Sequence, residues 1–291
     1  MEEKATEDSF KRPFPALTPA ERYHLDVFGY VVIENTLTYE EVGTFLDALN
    51  KLKRDFLATD DPANATVRGC YLSKYTPHLM HLAHYLESDP VLIHYPTHPR
   101  LVGMAEELVG GTVRLEETEA IINSRDPEVD LEAPLHYGFH TGTRPGFGTY
   151  TENGLYHCNL VKTITNLTEL GPDDGGTVVI AGSHKVKCSQ EEIIACAYED
   201  PNLIHQVVAP AGSTLFFSES LIHATGHIRS ERERAIIISG YTPTMFQAWN
   251  GQEPSPEFVE QIPESLRPLI SGSDKWSWKQ RYRSLNMPAE E

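Results

Sequence analysis

The chain has 291 residues, 40% of them hydrophobic and 23% charged, which excludes wholesale disorder and allows one large core. A formal net charge of -18 repels nucleic acid and anionic membrane surfaces, so neither is expected as a partner. No apolar run is long enough to cross a bilayer, and the charged start MEEKATEDSFKRPFP is not a secretory signal, so a cytoplasmic location is expected.

After that tail, Thr18 reads as an N-cap, with Pro19 at the first helical position and Glu21 three residues on from the cap. Leu25 and Phe28 give the short helix an apolar stripe that Gly29 ends, and Tyr30 to Ile33 form a β-branched and aromatic strand. Thr38 caps a second helix, with Val42, Phe45, Leu46, Leu49 and Leu52 at helical spacing. Residues 60–96, rich in Pro, Asp and His, give no clear period. A helix is expected near 99–109, stopped by Gly110 and Gly111.

Strand-like runs then follow at 112–125, 155–167, 176–182, 204–209, 213–219 and 234–242, with one short helix at 189–197. Many short strands separated by turn residues predict a mainly β sandwich or barrel with flanking helices. The last forty residues, with KWSWKQRYRSL, read as a helical or coiled tail on the body. A single domain over 1–291 is expected, with helices and a strand at about 17–110, the β core at about 111–243 and the tail at 244–291. Cys70, Cys158, Cys188 and Cys196 form no C-x-x-C pair and read as packing thiols of a reduced compartment.

Three segments carry the chemistry: APLHYGFH, GPDDGGTVVIAGSHK at 171–185, and PAGSTLFFSESLIHATGHIRSERERAIIISGYTP at 210–243. His223 and Thr225, two apart on a strand, share a face. Arg234 opens the next strand, and an antiparallel return sets its guanidinium beside Thr225, a natural clamp for a carboxylate. A second imidazole on another strand, His136, would complete a two-histidine site suited to iron with open positions. Each residue also has a plainer reading: His223 as a structural histidine, and Arg234 as an ion-pair partner of Glu231 or Glu233.

Together, the order and spacing of LTPAERYHLDVFGYVVIENTLTYEEV, DDGGTVVIAGSHK and PAGSTLFFSESLIHAT resemble the phytanoyl-CoA dioxygenase family, over about residues 17 to 243. The resemblance implies a double-stranded β-helix (a jelly roll, cupin-like), with Fe(II) and 2-oxoglutarate as cofactors. It implies iron ligands at His136 and His223 and a clamp on the distal 2-oxoglutarate carboxylate by Arg234, assisted by Thr225. His184 in the GSHK turn would be structural.

Members of that family usually carry His-x-Asp at the proximal site, whereas this segment reads His136-Tyr137-Gly138. Glu219 is a poor substitute, because four residues of extended strand set it roughly 13 Å from His223. Asp130 and Glu152 fall in expected loops. His140 makes an H-x-x-x-H with His136, but the surrounding glycines argue against the helix this spacing needs, so it reads as pocket wall. Asn123 and Arg125 are expected on one strand face, with Asn123 towards 2-oxoglutarate. Tyr137, His140, Arg144, Arg125 and Asn159 are expected near a small-molecule substrate, with Thr163 sharing Asn159's parity.

The expected reaction is oxidation, foremost hydroxylation, of a C–H bond of a small molecule, with O2 consumed and succinate and CO2 as co-products. Two alternatives stand beside it. The hydroxylase would leave water at the position opened by Gly138, whereas a halogenase would place chloride or bromide there. A cupin-like binding protein would share the fold without consuming oxygen. A zinc hydrolase would need a third protein ligand.

Overall fold

Threonine starts both N-terminal helices of this computed structural model, which describes residues 14–130, 136–142, 148–152, 154–247 and 253–279. In α1 (Pro19–Phe28) the Thr18 hydroxyl accepts from the Glu21 backbone N–H, while the Glu21 carboxylate accepts from that of Thr18. Thr38 and Glu41 repeat this reciprocal cap on α2 (Tyr39–Leu57). Val42, Phe45, Leu49, Leu52 and Phe56 form the buried stripe of α2. Between the helices runs β1 (Tyr30–Ile33), and α3 (Pro99–Val109) follows as the sequence predicts.

The region without a clear period forms β2 (Thr66–Val67), β3 (Cys70–Thr76) and β4 (Leu79–Ala83), an antiparallel extension of the main sheet. That sheet also holds β5 (Val113–Asn123), β8 (Val161–Asn166), β11 (Thr214–Ser218) and β13 (Arg234–Pro243), in the order β1-β11-β8-β13-β5-β4-β3-β2. The expected run at 155–167 is broken: β7 (Leu155–Cys158) pairs with β6 (Thr149–Glu152), and the chain turns before β8. A smaller sheet is made of β9 (Val178–Ile180), β10 (Ile204–Gln206) and β12 (His223–Ala224), in the order β10-β9-β12.

Strand alternation sorts the core into layers. On β13, Ala235, Ile237 and Tyr241 pack with α2 and α3, while Ile236 and Ile238 pack with Val179 of the small sheet. Val178 and Ile180, on the other face of β9, cover Ala197 of α4 (Gln190–Glu199). Helices thus flank two facing sheets. The tail adds α5 (Pro256–Gln261) and α6 (Arg267–Ser271), and Trp278 bridges to Gly111. All four cysteines are free, but only Cys70 and Cys158 pack inside; Cys188 and Cys196 are exposed, contrary to expectation. Among the described residues, no helix is long and apolar enough to cross a membrane.

Candidate active site

A cavity of about 490 Å³ opens between the two sheets. Arg234, the first residue of β13, lies at one end, only 2% exposed. Its two long contacts, both 3.4 Å, run to the Asn123 side-chain oxygen and the Thr177 hydroxyl, and its Nε has no hydrogen-bond partner. Burial pulls its pKa down to about 10, which leaves the guanidinium charged at neutral pH. The neighbouring glutamates do not neutralise it: Glu231 pairs with Arg125, and Glu233 with Lys53. A buried cation with unspent donors, facing a cavity, fits a carboxylate ligand. Thr225 lines the same cavity, as does Thr177, which the sequence reading missed. The strand parity opposite His223 and Thr225 could have found Thr177, since β12 pairs Ala224 with Val178.

His223 is buried, and its ring Nδ1 meets the Leu221 carbonyl at 2.8 Å, which leaves Nε2 free for a ligand. Burial, then the nearby His140, hold its pKa well below the usual histidine range, so the ring is neutral and fit to bind a metal. The imidazole beside it is His140, not His136. The backbones of His140 and His223 exchange two hydrogen bonds of 3.0 Å, and their ring centroids lie 4.3 Å apart. Both rings line the cavity. His136 is exposed, packs edge-on against Tyr198 and lines no part of it. The physical reason is local: residues 136–142 contain no helix, and the extended chain joins β12 at residue 140.

A second His-x-Gly pattern begins at the cavity-lining histidine. Gly138 has open space around it, whereas the His-x-Gly that faces the cavity is His140-Thr141-Gly142. A Cβ on Gly142 would overlap Glu219 Cγ and stand 3.5 Å from Glu219 Cδ. The 13 Å separation expected for Glu219 does not apply, because the chain turns after β11, with Leu221 N–H donating to the Ser218 carbonyl. Among the described residues no cluster of three His, Cys, Asp or Glu side chains forms a ready-made metal site.

The other expected site residues divide. Asn123 lines the cavity, but Arg125 turns outward to Glu231. Tyr137 packs on Phe139 and His227, away from the cavity. Asn159 sits in the turn before β8, and Thr163 faces the helices, where it meets Tyr95. Arg144 and the side chain of Glu152 lie outside the described residues, and Asp130 is exposed. His184 is buried edge-on against Tyr156, a packing role. At the far wall Lys162 reaches Glu117 at 2.5 Å and Glu219 at 3.5 Å, while Glu119 meets His81 at 3.0 Å. Ile121, Ile164, Ile236 and Ile238 form the apolar belt between this cluster and Arg234.

The model of the phytanoyl-CoA dioxygenase (PhyH) family matches residues 25–236. The ectoine dioxygenase of Bordetella bronchiseptica is 22% identical over 281 residues, covering 84% of this chain and 82% of its own. That of Stutzerimonas stutzeri is 23% identical over 280 residues, covering 86% and 84%. Among solved structures, HygX from Streptomyces hygroscopicus with nickel and 2-oxoglutarate bound superposes with a TM-score of 0.62 at 21% identity, covering 82% of this chain and 93% of that one. EctD from S. alaskensis with bound Fe gives 0.60 at 18% identity, covering 84% and 83%. These likenesses establish the double-stranded β-helix. With its buried guanidinium and paired imidazoles between the two sheets, the chain belongs to the phytanoyl-CoA dioxygenase family of iron- and 2-oxoglutarate-dependent oxygenases.

Proposed function

We propose that His140 and His223 hold the iron, that Arg234 with Thr177 and Thr225 holds the far carboxylate of 2-oxoglutarate, and that one domain uses them to hydroxylate a C–H bond of a small polar molecule. The observation that carries this reading is Arg234: a buried guanidinium with an unpaired Nε, at the end of a cavity whose wall bears two imidazoles. Bound iron and 2-oxoglutarate supply the oxidising power, releasing succinate and CO2. The chain's own residues position and exclude. Arg234 fixes the cosubstrate's orientation before reaction, and the isoleucine belt keeps water from its carbon chain. Lys162 and Glu119, which line the far wall, offer charge and hydrogen bonds to a polar substrate. A structure of HygX with nickel, 2-oxoglutarate and hygromycin B bound supports a small-molecule substrate of this kind.

The Gly138 position has no part in this reading, and neither does a halide. The glycine two residues past the cavity-lining histidine is Gly142, and the Glu219 side chain takes the space beside it. The Bordetella bronchiseptica and Stutzerimonas stutzeri relatives are ectoine dioxygenases. Succinate formed from 2-oxoglutarate with Fe(II), in the absence of substrate, tests the assignment. His140→Ala and His223→Ala are expected to abolish it, and His136→Ala to leave it within about twofold of wild type. Retained turnover in His140→Ala with loss in His136→Ala would reverse the ligand pair. No succinate from the wild type would remove the enzyme reading.

A further inference from the structure

The two imidazoles leave the iron short of an anionic ligand, and the Glu219 side chain stands beside Gly142, two residues past His140. Residues two apart on an extended segment share a face, so a side chain at position 142 would project on the same side as His140. That space is already filled. A Cβ on Gly142 would overlap Glu219 Cγ, so the Glu219 methylene stands where a residue-142 side chain would begin. The backbone fixes this overlap: Gly142 N–H and the Thr141 hydroxyl both donate to the Glu219 carbonyl, each at 2.9 Å.

The Glu219 carboxylate is underused where it stands. The residue is 7% exposed, and its Oε2 accepts no hydrogen bond. Its ionic contact with Lys162 is 3.5 Å long, and that ammonium is held closer, at 2.5 Å, by Glu117. A buried and a half-buried carboxylate therefore share one half-buried cation, with a further carboxylate, Glu119, on the same wall. A divalent cation beside them would redress the balance.

We infer that Glu219 is the carboxylate ligand of the metal, delivered from the β11–β12 turn into the space left by Gly142. The inference rests on His140 and His223 being the imidazole ligands. In the present arrangement the carboxylate leans on Lys162, and ligation needs its rotation towards the two rings. Gly142 and Glu219 are then a matched pair: the glycine is required because the glutamate occupies its side-chain volume.

The test is a Mn(II) titration in the presence of 2-oxoglutarate, read from the electron paramagnetic resonance signal of free Mn(II), on four proteins. Wild type is expected to bind. Glu219→Ala is expected to weaken Mn(II) binding at least about tenfold, and Glu219→Gln, which keeps the volume beside Lys162, to weaken it likewise. The double variant Glu219→Ala/Gly142→Asp, with its carboxylate supplied from the other side of the same space, is expected to return to within about threefold of wild type. Mn(II) binding at wild-type strength in either single variant overturns the inference. So does weakened binding that the double variant fails to rescue, since Glu219 would then act only through Lys162 and the fold. Failure of wild type itself to bind Mn(II) would instead remove the underlying imidazole pair, and the inference with it.

Discussion

Arginine cannot escape burial by losing its proton, so Arg234 remains charged at neutral pH even with its pKa lowered to about 10. Contacts of 3.4 Å to Asn123 and Thr177 are too long to repay its desolvation, which costs several kcal/mol for a buried ion. Without an anion the residue is a net burden on the fold; holding the 2-oxoglutarate carboxylate, as proposed, it would become the main source of cosubstrate affinity. Arg234→Met therefore separates the two roles. Its melting temperature without 2-oxoglutarate is expected to equal or exceed that of wild type, because an unpaired buried charge is replaced by apolar volume. Its affinity for 2-oxoglutarate is expected to fall about 100-fold, or about 2.7 kcal/mol. Calorimetric titration reads the second effect. The thermal shift given by saturating 2-oxoglutarate, present in wild type and absent in the variant, checks it independently. A destabilised variant with intact affinity would mean that Arg234 is a structural residue.

The proposed clamp depends on how closely two short strands approach. β12 pairs with β9 so that Thr225 and Thr177 both reach the cavity, and the chains on either side are glycine. A Cβ on Gly226 would run into the Gly176 carbonyl, and one on Gly176 into the Val207 carbonyl. Backbone cannot yield as a flexible side chain can, so Gly226→Ala is expected to cost about 2 kcal/mol and to raise the KM for 2-oxoglutarate by displacing both threonines. Thr38→Ala removes a cap far from the cavity; it is expected to cost about 1 kcal/mol with the KM unchanged. Denaturant unfolding together with succinate kinetics distinguishes the two variants. The same contrast explains what could be read before the fold was known. The caps of α1 and α2 are written in neighbouring residues, and so is the i, i+2 parity that sets His223 and Thr225 on one side. The partner of His223 is not local. His140 reads as pocket wall because its spacing to His136 suits a helix that the glycines forbid, whereas an extended chain brings it to β12. For Glu219 an extended strand predicts a long distance from His223, which a turn at 218–221 cancels. The hairpins β2 to β4, which carry Lys74, His78 and His81 to the cavity, alternate too irregularly between polar and apolar residues to announce themselves.

Across the whole molecule, buried histidines limit stability in acid, and two of them outside the cavity also tie the layers together. The His157 ring on β7 stacks on Tyr150 and hydrogen-bonds at 3.0 Å to the Leu108 carbonyl of α3. The His184 ring packs edge-on to Tyr156, beneath the end of α1. Burial lowers both pKa values to about 4; Arg22 adds to the shift at His157, and Lys185 at His184. In the unfolded chain both return to about 6.5. Between these values the unfolded state binds more protons, so stability must rise with pH; the contribution is full above about 6.5 and is lost as pH falls towards 4. An opposing effect exists, because protonation of exposed histidines relieves the net charge of -18. At about 0.15 M salt that relief is screened within about 8 Å, whereas charging a buried ring is not, so the buried pair dominates. Most exposed carboxylates titrate below about pH 4.5, which leaves the interval from about 6.5 to 4.5 to the histidines. The melting temperature is therefore expected to be level from pH 8 to 7 and to fall steadily below 6.5. Replacing His184 with Phe, which keeps a flat ring against Tyr156, is expected to make that fall shallower, and adding His157→Phe to make it shallower still. A pH slope identical in wild type and double variant would assign the acid sensitivity to other groups, His223 and His98 among them, whose pKa values burial also lowers.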